Sequence, residues 1–108
     1  MESEIKYIGI DNLDELEASE LKSLVERNAP KVERHLHKHQ KENMSAKIRI
    51  SVKKINHGDK KKHFLIKMYI ASTTGKFEVE HSDWDLARTM HKIFESINNI
   101  VKKELKQK

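Results

Sequence analysis

The 108-residue sequence has no cysteine, a single proline, three glycines and only 6% aromatic residues. Without cysteine there is no disulfide framework, no thiolate nucleophile and no thiolate metal site. Three glycines are too few for a glycine-rich loop that cradles phosphate groups. No run approaches the roughly 20 apolar residues of a membrane span. The amino-terminal Met-Glu-Ser-Glu lacks the basic start and apolar core of a signal peptide. We therefore expect a cytoplasmic protein without membrane association.

Catalytic groupings are missing from the sequence as well. No nucleophile–base pair and no pair of acids suited to acid–base chemistry stands out among the polar residues. We therefore expect a protein without enzymatic activity, without a cofactor and without a small-molecule substrate.

Charged residues are abundant and unevenly distributed along the chain. They make up 36% of the residues, as do hydrophobic residues, and the formal net charge is +5. Residues 1–20 hold seven acids and one base, whereas residues 44–76 hold nine Lys and Arg residues and one acid, Asp59. The apolar residues fall into regular periods, which argues against disorder. A folded domain with such concentrated positive charge is typical of proteins that bind a polyanion.

The first part of the chain predicts a strand and a helix. Residues 5–10 are apolar and β-branched, as in a short strand, and the acidic residues 13–18 read as a loop. From Ser19, a suitable N-cap, apolar residues recur at helical spacing as far as Leu36. Because the stripe stays in phase across Pro30, we predict one helix with a bend there rather than two helices.

The second part predicts three strands and a second helix. Residues 46–55, 63–72 and 76–80 alternate between apolar and polar side chains, as half-buried strands do. Ser82 followed by Asp85 then forms a capping-box pattern, which opens an amphipathic helix that continues to the end of the chain.

The resulting order is β-α-β-β-β-α, which we assign to one α+β domain over residues 1–108. Short connections favour a meander for the last three strands, with the first strand joined through a helical crossover. Both helices carry one apolar stripe, and packing them side by side on one face of a four-stranded sheet buries both. The arrangement is like that of a double-stranded-RNA-binding domain.

From about residue 5 to residue 106 the chain resembles the ribosome hibernation-promoting factor / protein Y family, also called sigma-54 modulation protein-like. The order of elements carries the resemblance, together with residues 31–36 (KVERHL) at the end of the first helix. Residues 75–86 (GKFEVEHSDWDL) are similar to the family's glycine turn, short strand and Asp at the start of the last helix.

The resemblance implies a protein that binds the small ribosomal subunit and its rRNA in the channel used by mRNA and tRNA. There it would inhibit translation without chemistry. The chain resembles the short members of the family, which lack a further C-terminal dimerisation domain, so we expect a monomer away from the ribosome.

Basic side chains of the strands and helices are the candidate contacts with rRNA. Phosphate contacts of this kind give affinity and register rather than sequence specificity. The competing interpretation is an ordinary solvated surface, held on the helices by ion pairs three or four residues apart. The predicted rRNA-binding set is Lys22, Lys31, Arg34, Lys47, Arg49, Lys53, Lys54, Lys60, Lys61, Lys62, Arg88 and Lys92.

Histidines and aromatic residues have less specific interpretations. His35 and His39 would share a helix face, but no carboxylate or cysteine completes a metal set, so no metal site is predicted. Histidines near a phosphate backbone would instead add pH-dependent positive charge. Trp84 and Tyr7 are able to stack on bases, but we expect Trp84, in the first turn of an amphipathic helix, to pack into the core. The same is expected of Phe64, Phe77 and Phe94.

Two other functions remain open. A double-stranded-RNA-binding module shares the last four elements, although Asp83 and Asp85 at the start of the last helix would repel phosphate. A protein-interaction module, such as a modulator of a transcription factor, would use the free edge of the first strand or an apolar helix face. Its binding would depend far less on salt.

Overall fold

The computed structural model describes residues 3–37, 46–57, 61–72 and 75–106, and it confirms the order β-α-β-β-β-α. A short 3-10 turn, Ile10–Asn12, separates the first strand from the first helix. Neither helix is apolar enough along its length to cross a membrane, among the residues that the structure describes. The elements are β1 (Ser3–Ile8), α1 (Glu15–His37), β2 (Ala46–His57), β3 (Lys61–Ser72), β4 (Gly75–Asp83) and α2 (Leu86–Lys106).

The four strands form one mixed sheet in the order β1-β2-β3-β4. β1 lies parallel to β2, as a helical crossover through α1 requires, and the β2–β3 and β3–β4 pairs are antiparallel. The predicted meander and the predicted helical crossover of the first strand are therefore confirmed.

One face of the sheet and the two apolar helix stripes form the core. Ile48, Ile50 and Val52 of β2 are at most 2% exposed, and their alternating neighbours point to the opposite face. Each fully buried side chain of this kind stabilises the fold by roughly 1.5–3 kcal/mol. Both helices pack side by side on this face, as predicted. The helix residues buried there are Leu21, Val25, Ala29, Val32, Leu86, Met90, Ile93, Phe94, Ile97 and Val101.

β1 ends two residues earlier than the sequence pattern indicates, because the chain turns at Gly9. Its φ of 77° lies in the left-handed region, and a Cβ there would come within 2.4 Å of the Val52 carbonyl oxygen. The Asn12 side-chain amide donates a hydrogen bond of 3.1 Å to the same oxygen. Only glycine fits this close approach of the turn to β2.

The first helix begins five residues before the start that an N-cap at Ser19 implies, so the assignment of Ser19 as its N-cap is wrong. Asp14 and Glu17 form a reciprocal capping box: the Glu17 N–H donates to Asp14 Oδ1 at 2.7 Å, and the Asp14 N–H donates to Glu17 Oε1 at 3.0 Å. Residues 15–18 of the acidic segment interpreted as a loop therefore form the first turn of α1. The helix continues through Pro30 to His37, which confirms one helix rather than two.

The second helix begins later than predicted, and Ser82 is not its N-cap. Ser82 lies in β4, paired with Leu65 of β3. Asp85 takes the capping role, because its Oδ1 accepts the Arg88 N–H at 2.8 Å. β4 therefore extends three residues beyond the predicted strand before α2 starts.

Candidate nucleic-acid interface

The face of the sheet opposite the helices is open and carries a row of cations. Lys47, Arg49 and Lys53 of β2 all lie exposed on this open face, as the alternation predicted. Exposed Lys6 of β1 is paired with Arg49, which places its side chain beside them. We call these four residues the basic strip. Side chains two positions apart on a strand stand about 7 Å apart, so the strip presents a line of separate positive charges.

An aromatic ring of the open face supports the basic strip. Tyr69 of β3 is the register partner of Arg49, and the guanidinium carbon lies 4.9 Å from the centre of the Tyr69 ring. This is a cation–π distance, and it holds the guanidinium over the sheet. The sequence reasoning did not single out Tyr69, although its position between buried Met68 and Ile70 indicates the open face.

β4 brings acids to the other side of the open face. Lys67 Nζ lies 3.9 Å from Glu78 Oε1 and 3.8 Å from Glu80 Oε2. The count of charges over residues 44–76 did not include these two acids, because they lie beyond its end in sequence while being adjacent in the sheet. On β1, exposed Glu4 is the register partner of Lys47 and accompanies Lys6 on the open face. The excess of positive charge on the open face is therefore concentrated on β2.

Between the basic strip and the acids lies a shallow depression of about 220 Å³. Lys53 and Lys67 contribute positive charge to its wall, and Leu65 contributes an apolar surface. The lining residues are Ser51, Lys53, Leu65, Lys67 and Glu80.

Lys54 points away from the basic strip, toward the start of α1. Its Nζ donates a hydrogen bond of 2.7 Å to Glu17 Oε1, and only 12% of its side chain is exposed. This hydrogen bond raises the pKa of Lys54 above its ordinary value. Lys62 Nζ lies 3.8 Å from the second Glu17 oxygen. The side chain of Lys61 and the whole of Lys60 lie outside the described residues.

The predicted cations of α1 lie in the helical layer, behind the sheet. Lys22, Lys31 and Arg34 are exposed there, and Lys22 Nζ lies 5.9 Å from the centre of the Tyr7 ring. Tyr7 packs against the core, and this burial raises the pKa of its hydroxyl. Tyr7 therefore does not offer a stacking surface on the open face.

Arg88 and Lys92 of α2 are exposed but share one carboxylate. Asp83, at the end of β4, accepts Arg88 Nη2 at 2.8 Å on one oxygen and Lys92 Nζ at 2.7 Å on the other. These two bonds hold the pKa of Asp83 far below its ordinary value, and Asp83 in turn raises the pKa of Arg88. A groove of about 330 Å³ between the helices, which Arg88 also lines, includes Leu24 and Asn28 of α1.

The described residues of the predicted rRNA-binding set therefore lie on two faces of the domain. Lys47, Arg49 and Lys53 lie on the open face, and the cations of α1 and α2 lie on the helical layer. Lys54 and Lys62 lie beside the Glu17 carboxylate.

The expectation that Trp84 packs into the core is wrong. Trp84 is 54% exposed, and its ring lies 4.8 Å from the His63 ring, measured between centroids. The reason is the extra length of β4, which puts Trp84 in the turn before α2 rather than inside its first turn. The three phenylalanines, Phe64, Phe77 and Phe94, are buried as expected.

The described histidines do not come together. His81 Nε2 lies 2.7 Å from Ser96 Oγ, between β4 and α2, whereas His63 lies on the open face. Within the described residues, no cluster of three or more His, Asp or Glu side chains has the arrangement of a metal site. The side chain of His35 and all of His39 fall outside those residues.

Comparison with known proteins finds a similar structure but no similar sequence. No family model matches the chain, and no curated protein matches it in sequence. A crystal structure of the Protein Y N-terminal domain from Thermus thermophilus superimposes with a TM-score of 0.56 at 16% identity. The match covers 93% of each chain. The chain therefore has the fold of the Protein Y N-terminal domain, as the order of its elements indicated.

Proposed function

We propose that this protein binds the RNA of the small ribosomal subunit and inhibits translation by occupying the channel for mRNA and tRNA. The observation that carries the proposal is the basic strip on an open sheet face, within a fold shared with a Protein Y domain. In this account the protein is cytoplasmic, monomeric off the ribosome and without catalytic activity.

The chemistry of the basic strip suits a phosphate backbone. Its cations are exposed, three on β2 and one on β1. Glu4 of β1 is the register partner of Lys47, and Glu78 and Glu80 lie on β4, at the other side of the face. Each phosphate neutralised by such a cation releases a counterion, so affinity falls steeply as salt rises. A surface that makes mostly phosphate contacts recognises the shape of folded RNA more than its sequence.

The division of cations between two faces favours a channel over a flat RNA surface. Lys47 and Arg49 lie on the open face, whereas Lys31 and Arg34 lie exposed on the helical layer. A flat partner would touch one of these faces and leave the other in water. A partner that encloses the domain, as the walls of a channel do, would contact both.

Charge reversal of the basic strip tests the proposal. We expect the triple variant K47E/R49E/K53E to remain folded, because all three side chains are exposed, and to lose at least about tenfold in affinity for the small subunit. The control is R27E/K102E/K103E, which changes the net charge equally at exposed helix positions outside the predicted set. Co-sedimentation with purified subunits measures both variants, and circular dichroism checks their folding.

The location of the charge decides the result. A large loss in the strip variant with a small loss in the control supports the proposal. Equal losses would mean that only net charge matters, and full retention of binding by the strip variant would show that the basic strip does not contact the ribosome.

A further inference from the structure

A cluster of apolar and aromatic side chains lies at one end of the open face. Trp84 and Ile55 are 54% and 43% exposed, and Leu65 is partly exposed between them and the centre of the sheet. His63 pairs with Ile55 across β2 and β3 and contacts the Trp84 ring. We call these four residues the aromatic end. Large apolar side chains gathered on the surface mark an interaction site more often than scattered ones do.

Hydrogen bonds at the junction of β4 and α2 hold Trp84 in place. The Trp84 N–H donates to Asp83 Oδ1 at 2.6 Å, and Asp83 is itself fixed by Arg88 and Lys92. The contact with His63 adds a second support at the ring. An exposed aromatic ring held in this way loses little conformational entropy when it binds a ligand.

Cations stand directly beside the aromatic end. Lys53 is the register partner of Leu65, and Lys67 follows Leu65 by two positions on the same face. Both lysines line the shallow depression together with Leu65 and with Glu80, the acid that pairs with Lys67, so Lys53 is the cation offered to an anion. An apolar protein segment bound here would remove these ammonium groups from water without a partner for their charge, which is unfavourable in free energy. A ligand that joins a flat ring to an anionic group is able to contact the aromatic end and the lysines together.

We propose that the aromatic end binds an unpaired nucleobase of single-stranded RNA, stacked on the Trp84 indole, with the adjoining phosphate at Lys53. This proposal rests on the proposed function for the identity of the RNA. It adds that the part of the RNA bound at the aromatic end is an unpaired segment rather than a duplex. In a duplex the faces of each base are covered by neighbouring bases, so an indole gains stacking only with an unstacked one.

Trp84 is the only tryptophan of the chain, so its fluorescence reports on this site alone. We expect a short oligouridylate to quench the fluorescence to saturation, and an abasic ribose-phosphate oligomer of the same length to leave it unchanged. A blunt RNA duplex, tested in parallel, should bind at higher concentration and quench little. Quenching by the abasic oligomer equal to that by oligouridylate would overturn the stacking assignment.

Substitution separates stacking from general attraction. We expect W84A to bind a labelled oligouridylate about tenfold more weakly in fluorescence anisotropy, and W84F to keep most of the affinity. Leu16, which is 85% exposed on α1, provides the control L16A, which should bind like the wild type. Thermal unfolding confirms that each variant is folded. Equal affinity of W84A and wild type would contradict the proposal.

The outcome distinguishes failure of this inference from failure of the proposed function. Ribosome binding by the wild type without oligouridylate quenching would sink the stacking proposal alone. Quenching without ribosome binding would uphold stacking and reject the ribosomal target. If W84A lost ribosome binding while oligouridylate neither bound nor quenched, the aromatic end would contact a protein, which overturns the RNA assignment.

Discussion

Asp83 connects the open face to the helical layer through four hydrogen bonds. Its carboxylate accepts the backbone N–H groups of Trp84 and Asp85 and the side chains of Arg88 and Lys92. The same residue therefore positions the exposed tryptophan and holds two of the predicted RNA-binding cations. The sequence reasoning assigned Asp83 only a general role at a helix start, because its bonds depend on where β4 ends.

Acid should weaken the fold through Asp83. Its pKa in the folded protein lies below the ordinary value of 3.8 because Arg88 and Lys92 stabilise the carboxylate. The unfolded chain therefore binds more protons in acid than the folded protein does. The contribution of Asp83 to the free energy of unfolding is complete above about pH 5 and is lost progressively as the pH falls through about 4 and below. We expect D83N to lower the urea midpoint near neutral pH and to approach the wild type toward about pH 2.

Urea unfolding followed by circular dichroism at a series of pH values measures this difference. The matched control is D11N, the same carboxylate-to-amide change at an exposed residue that follows the opposite edge strand. A gap between D83N and wild type that stays constant down to the acid limit would contradict the account of Asp83.

Exposure of individual side chains was the least predictable feature at this scale. Alternation predicted the face of Lys47, Arg49 and Lys53 correctly, because the side chains of a strand alternate between the two faces of the sheet whatever the rest of the fold is. Trp84 was misplaced because its exposure depends on the length of β4, which the hydrogen bonds of the sheet decide. The predicted rRNA-binding set includes Lys54 beside Lys53, although alternation along β2 turns the Lys54 side chain to the other face, toward Glu17.

At the scale of elements, the capping box of α1 leads to a direct test. Asp14 accepts the Glu17 N–H, whereas Ser19 lies exposed within the helix. We expect D14A to lower the thermal midpoint by about 4 °C or more, because a capping side chain is lost. S19A should leave the midpoint unchanged or raise it slightly, because alanine favours a helix interior. The reverse order would restore Ser19 as the cap.

The types and order of the elements were predictable, and several of their ends were not. Period-two alternation identified β2 and β3, and helical spacing identified α1 and α2, because these patterns follow from the buried face. The boundaries depended on contacts between elements. Gly9 turns where it meets Val52, and Ser82 stays in β4 because it pairs with Leu65.

For the whole molecule, the charges are distributed in space differently from their distribution along the sequence. Part of the negative charge of the amino-terminal segment is neutralised within the fold, because Glu17 pairs with Lys54 and lies near Lys62. The remaining positive charge divides between the open face and the helical layer. Sequence counts could not reveal this division, since it depends on which residues the sheet brings together.

Salt dependence of ribosome binding is the measurement that tests the central claim most directly. The purified protein is sedimented with isolated small and large subunits over a series of salt concentrations, with tRNA and mRNA as competitors. We expect preferential binding to the small subunit, displacement by the competitors, and a linear fall of log affinity with log salt with a slope of about −2 or steeper. Binding that is insensitive to salt, absent, or equal for any duplex RNA would contradict the account.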